Sequence, residues 1–150
     1  MNWNEFAEAA PELAKAGEER FEKWGLSLVG TVRKDGSARI SPVEPLIVDG
    51  ELMLGMMWQS TKAKDLMRDP RVLVHSIISD RKGDQGEFKL RGTVADVVHD
   101  ETRRLRYCEE LRKKIDWAPE GVEWHLFVVD IKSAALIAFE GDAKSVQMWP

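Results

Sequence analysis

Cysteine is nearly absent from this chain of 150 residues, and Cys108 stands alone. A single cysteine excludes an internal disulfide and a zinc site built from several thiolates. Long apolar runs are missing too: no stretch approaches about 20 uninterrupted apolar residues, so no membrane-spanning helix is expected. The first residues, Met-Asn-Trp-Asn-Glu, contain no basic segment followed by an apolar run. No secretory leader is therefore expected, and the cytoplasm is the expected location. Positive charge is not in excess. The net charge of −4 disfavours a general nucleic-acid-binding surface. There is no Gly-x-Ser-x-Gly, so a hydrolase nucleophile elbow has no support. There is no Gly-x-Gly-x-x-Gly and no P-loop, which removes the commonest nucleotide signatures. The three histidines, His75, His99 and His125, are dispersed and lack metal-ligand spacing, so no metal site is expected.

What remains is an ordinary globular composition, 43% hydrophobic and 32% charged, at a length that suits one domain over residues 1–150. Such a length buries roughly 70% of the extended chain's surface. Six tryptophans are many for this length. Core filling, an interface and a flat ring-binding pocket are all open to them.

Trp3, Phe6, Ala7, Ala10, Leu13, Ala14, Gly17, Phe21 and Trp24 recur at helical spacing. Pro11 falls inside this run and is expected to open a second helix at its first turn. Leu26 to Val32 forms an apolar strand pattern, followed by Asp35-Gly36 as a hairpin turn. Ala38 to Val48 is extended, with Pro42 and Pro45 marking a bulge or an edge. Asp49-Gly50 is a second hairpin turn, and Glu51 to Trp58 a third strand. That strand is apolar on both faces: Leu52, Leu54, Met56 and Trp58 on one, Met53 and Met57 on the other. Both faces need cover, from a helix or from a partner subunit.

A short helix is expected over 60–68 with Ser60 as its N-cap, ended by Asp69-Pro70. Strands follow over Arg71 to Ser79 and Glu87 to Val98. A helix capped by Asp100 carries an apolar stripe of Leu105, Cys108, Leu111 and Ile115. Trp124 to Ile131 and Ala134 to Phe139 supply the last strands, and Val146 to Pro150 shows no helix or strand period. Early hairpins with irregularly inserted helices disfavour a doubly wound parallel sheet. They favour an antiparallel barrel of mainly β, α+β type. His75, in an apolar strand, is expected to be a satisfied structural histidine and His99 a surface residue. Cys108 is expected to pack in the core.

The chemistry-bearing segment is Gln59-Ser60-Thr61-Lys62-Ala63-Lys64. A helix N-terminus carries unpaired N–H groups and about half a positive charge. Hydroxyls and lysines there make a phosphate seat, although a solvated basic helix face has the same composition. On the strand before it, Arg39 and Ser41 share a face, because side chains alternate along a strand. A hairpin is expected to set this strand, Arg39-Ile40-Ser41-Pro42, beside the strand that leads into Gln59. A flat anionic ligand could use both; a solvated arginine beside a bulge would look the same.

The ordered set of motifs resembles the pyridoxamine 5'-phosphate oxidase-like family of flavin-binding split β-barrels. It comprises Thr31 to Val43, then Ser60-Thr61-Lys62-Ala63-Lys64-Asp65-Leu66, then Asp69-Pro70-Arg71-Val72, within residues 25–100. The resemblance implies a homodimer of six-stranded antiparallel split barrels with inserted helices and two cofactor sites at the subunit interface. It implies that Arg39, Ile40, Ser41 and Pro42 run beside an isoalloxazine and its ribityl chain. It implies that Gln59, Ser60, Thr61, Lys62 and Lys64 lie at the phosphate. The cofactor it implies is FMN, with a deazaflavin of the F-420 type or haem as alternatives. The function it implies is hydride transfer to or from a small planar substrate, with a non-catalytic flavin- or haem-binding protein as the alternative. The C-terminal arginine motif of true pyridoxamine phosphate oxidases is missing, so vitamin B6 synthesis is not expected. A flavin does its own redox chemistry while the protein orients it and excludes water, so no catalytic triad is required.

Overall fold

The computed structural model describes residues 1–150, apart from the side chain of Glu140. Two helices open the chain, α1 (Trp3–Ala9) and α2 (Pro11–Trp24). Asn2 caps α1 in a reciprocal capping box with Glu5, and Pro11 occupies the first turn of α2 as its spacing predicts. The sheet is built from β1 (Ser27–Val32), β2 (Ala38–Val43), β3 (Pro45–Val48) and β4 (Glu51–Met57). After α3 (Thr61–Arg68) come β5 (Arg71–Ser76) and β6 (Glu87–Asp96). After α4 (Glu101–Ile115) come β7 (Trp124–Glu140) and β8 (Ala143–Trp149).

The strands form one antiparallel eight-stranded sheet in the order β2-β1-β5-β6-β7-β4-β3, with β8 beside β7. The antiparallel α+β expectation holds, with eight strands where six were expected. Two differences account for the count. The extended run 38–48 breaks at Glu44 into β2, which pairs with β1, and β3, which pairs with β4. The segment 143–149, which lacks a sequence period, pairs along β7 instead. Its six residues before Trp149 are exposed, so no burial alternation marks it as a strand. Trp149 itself packs on Phe6 with ring centroids 5.3 Å apart. The two stretches 124–131 and 134–139 are one strand, β7, which serves β6 along its length and β4 at its start.

Two apolar clusters hold the sheet. The larger packs α1 and α2 on one face, around Trp3, Phe6, Phe21 and Phe88. Their rings meet edge-on or tilted at 5.5–6.5 Å. The second packs α4 on β3, β4 and the start of β7 through Met53, Tyr107, Leu111, Trp124 and Leu126. α4 therefore covers the second face of β4 at Met53, while Met57 at the end of the strand stays 77% exposed. The stripe of α4 is Tyr107, Cys108 and Leu111; Leu105 is 61% exposed and Ile115 46%, contrary to the expected stripe. Arg103 locks α4 to β4 by a paired bond to Glu51 at 2.8 and 2.9 Å. Burial pushes the Cys108 thiol up, away from reactivity.

Candidate functional site

Ser60 sets the geometry of the seat. Gln59, before it, sits at φ 53°, in the left-handed region, and turns the chain off β4. Ser60 is extended and its side-chain oxygen accepts from the Ala63 N–H at 3.4 Å. Among the described residues the Thr61 and Lys62 N–H groups have no hydrogen-bond partner. Lys62 is half-buried, Lys64 is exposed, and neither is ion-paired among the described residues. The cap bond is long, so Ser60→Ala is expected to cost only about 0.5–1 kcal/mol in a denaturant melt.

The base of the helix is fixed by Asp65, which is 4% exposed. Its carboxylate accepts from Arg39 Nε at 2.6 Å, Thr31 Oγ1 at 3.0 Å and Arg68 Nη2 at 3.1 Å. Burial pushes the Asp65 carboxyl up, but the bonds from Arg39, Arg68 and Thr31 outweigh it and hold the group below its ordinary range. Arg68 also donates to the Val32 carbonyl at 2.5 Å. Thus Asp65 stitches α3 to β1 and β2 together. At the far end of the helix, Arg71 clamps Asp69 and holds its carboxyl at about 2, fixing the exit through Pro70.

The structure brings Arg39 and the Ser60–Lys64 helix together, but not by the expected hairpin. β2 does not pair with β4; the link runs through the Asp65 carboxylate. Only Nε of Arg39 is engaged, which leaves its two terminal nitrogens without a partner among the described residues. Ser41 is half-buried on the same face. Ile40 points the other way and is 69% exposed, and Pro42 is exposed too, on a strand whose outer edge is unpaired. Basic groups Arg39, Lys62, Lys64 and Arg68 outnumber the single carboxylate Asp65 here, in a chain that is acidic overall.

Two features escape sequence reasoning. Trp58 stacks on His125 with ring centroids 4.4 Å apart and 12° between planes. His125 is buried, its Nδ1 lies 3.2 Å from Asp96 Oδ2, and its Nε2 has no partner. These residues are far apart in sequence, and β4–β7 pairing alone sets them together, since Met56 faces His125 across the ladder. His75 is satisfied as expected: Nδ1 lies 2.7 Å from the Ser76 carbonyl and Nε2 3.2 Å from Glu87. His99 is exposed. Among the described residues no group of three acidic, histidine or cysteine side chains could hold a metal ion.

No protein-family model matches the sequence, and no curated protein matches it. Solved structures do. A general stress protein 26-related protein of the pyridoxinephosphate oxidase family from Clostridium acetobutylicum superposes with a TM-score of 0.65 at 12% identity, covering 87% of this chain and 90% of that one. The haem storage protein HutZ of Vibrio cholerae gives 0.66 at 14% identity over 82% and 89%. An F420 reductase gives 0.57 at 20% identity over 73% and 87%. The chain has the pyridoxamine 5'-phosphate oxidase-like split-barrel fold. At these identities the likeness establishes the fold alone.

Proposed function

We propose that this protein is a flavin- or deazaflavin-dependent oxidoreductase acting on a small planar substrate as a cytoplasmic homodimer. The observation that carries the reading is the α3 N-terminus: free N–H groups and unpaired Lys62 and Lys64, tied to Arg39 of β2 by Asp65. Ser60, Thr61, Lys62 and Lys64 would hold the cofactor phosphate, with Gln59 turning the chain beside it. Arg39, Ile40, Ser41 and Pro42 would run along the ribityl chain and ring. FMN is the first choice of cofactor and a deazaflavin the second. When bound, the ring supplies the hydride chemistry. The protein's residues bind the phosphate, orient the ring and exclude water.

A partner subunit is supported by apolar groups left in solvent on the outer side of β1 and β2: Leu26 at 40%, Leu28 at 36% and Ile40 at 69% exposure. Exposed apolar groups clustered on a sheet edge mark an interface. Sedimentation should give twice the chain mass.

Titration with FMN and with the deazaflavin tests the cofactor directly, read by quenching of cofactor fluorescence. Binding of either below about 100 μM, equivalent to about 5.5 kcal/mol, is the expected result. Binding of neither removes the enzyme reading.

A second reading, a non-catalytic haem-binding protein, is favoured by the unpartnered Nε2 of His125. A histidine held through its other nitrogen by a carboxylate is pre-oriented as a ligand. Its ring is covered by Trp58, so haem would have to displace that indole. A Soret band on haem addition, lost in His125→Ala and kept in His75→Ala and His99→Ala, would support this reading. An unchanged spectrum across all three variants would end it.

A further inference from the structure

A cavity of about 550 Å³ opens where β4, α4 and the loop between α4 and β7 meet. Its walls include four aromatic rings, Trp58, Tyr107, Trp117 and Trp124. Large apolar groups stand open around it: Met57 is 77% exposed, Val122 62% and Trp117 56%. Such groups left in solvent around one concavity point to a ligand.

Charge selects the ligand class. The charged residues lining the cavity are Glu44 and Glu123, and no cation lines it. Both carboxylates are exposed, and neither is ion-paired among the described residues. The field of Glu44 reaches Tyr107: burial pushes that phenol above its ordinary value and Glu44 pushes it further. The phenol therefore stays neutral and adds no competing anion. The tryptophan walls favour positive charge as well, because an aromatic face carries a negative quadrupole. One face of Trp124 is already taken by the Arg104 guanidinium, 4.0 Å from its ring centroid, so the ligand's charge is left to the other rings and the two carboxylates.

We propose that this cavity binds a flat organic cation, an aromatic or heteroaromatic ammonium, and rejects phosphorylated and other anionic ligands. The ring lies against the tryptophan walls and the positive charge faces Glu44 and Glu123. The position gives the ligand a role. Glu44 directly follows β2, and Met57 and Trp58 directly precede Gln59 and Ser60. The cavity's lining is thus continuous along the chain with both segments of the proposed cofactor seat, which gives its ligand the role of substrate. That last step rests on the flavin reading; the cation site does not.

Calorimetric titration with N-methylquinolinium and with naphthalene-1-sulfonate tests the selection, using two rings of similar shape and opposite charge. The cation is expected to bind at least about tenfold more tightly than the sulfonate. Glu44→Gln/Glu123→Gln should bring the two affinities within about threefold, since solvated carboxylates act through Coulomb attraction in high dielectric. Trp117→Ala should weaken both ligands. Equal affinities in the wild type, or a preference unchanged in the double variant, would overturn the proposal. The FMN titration separates the two readings. Quinolinium binding without flavin binding keeps the cation site and removes the substrate role. Flavin binding without cation preference keeps the flavin reading and overturns the cation site together with its substrate role.

Discussion

Asp65→Ala is expected to lower the unfolding free energy by about 3 kcal/mol, the low end of what removing one partner of a buried ion pair costs. The low end applies because Arg39 and Arg68 keep 24% and 39% of their side-chain surface exposed and can turn to water. The loss has three parts. Thr31 is buried and its hydroxyl loses its acceptor. The half-buried Arg39 loses its counter-charge. The α3 helix loses its link to β1 and β2. A guanidinium chloride melt measures the sum. Because the folded carboxyl sits below its ordinary range, its contribution is full above the unfolded value of about 4 and fades as pH falls through the lower folded value. The gap between the wild type and the variant should therefore narrow as pH falls below about 4. Replacing the closer charged pair together, Arg39→Met/Asp65→Leu, should recover part of the loss, because the half-buried Arg39 no longer stands without a counter-charge and only the more exposed Arg68 loses its partner. A loss below about 1 kcal/mol in the single variant would show that this carboxylate does not hold the seat together.

Lys62→Ala/Lys64→Ala has the opposite profile: little change in stability and a large change in binding. Neither lysine is ion-paired among the described residues, so the fold should move by no more than about 0.5 kcal/mol. Charge-assisted contacts to a phosphate are worth roughly 1.5–3 kcal/mol each. Losing two should raise the FMN dissociation constant about a hundredfold or more. The remaining binding should depend less on salt, since two exposed cations have gone. Riboflavin, which has no phosphate, should bind the wild type and the variant alike. An unchanged FMN affinity would mean that the phosphate lies elsewhere, and Arg39 with its two free terminal nitrogens would be the next position to examine.

Much of the fold was legible in the chain because its signals are local. Pro11 at a helix start, Ser60 and Asp100 as N-caps, and the Asp-Gly turns each act within a few residues. The misread elements share another cause. The strand 143–149 is exposed on nearly every residue, so it has no apolar alternation, and only its pairing with β7 makes it a strand. The break at Glu44 was visible as Pro42 and Pro45 but not as a change of partner, because register is set by tertiary pairing. Cys108 and Leu111 meet the sheet as their period predicts, but Tyr107 joins them where Leu105 and Ile115 were expected.

The seat divides the same way. The ingredients of the proposed seat, Arg39, Ser60, Thr61, Lys62 and Lys64, lie in local motifs that the sequence alone displays, and the split-barrel class was legible in the same motifs. How they meet was decided only by the tertiary structure. Asp65 bridges α3 to β2 over 26 residues of sequence, and no local rule adds Arg39 to the pairing with its helix neighbour Arg68. The stack of Trp58 on His125 and the acidic, tryptophan-walled cavity likewise exist only once β4, β7 and α4 are packed. Local chemistry is written in spacing. A cavity's charge is a sum over residues distant in sequence, and only the folded chain performs that sum.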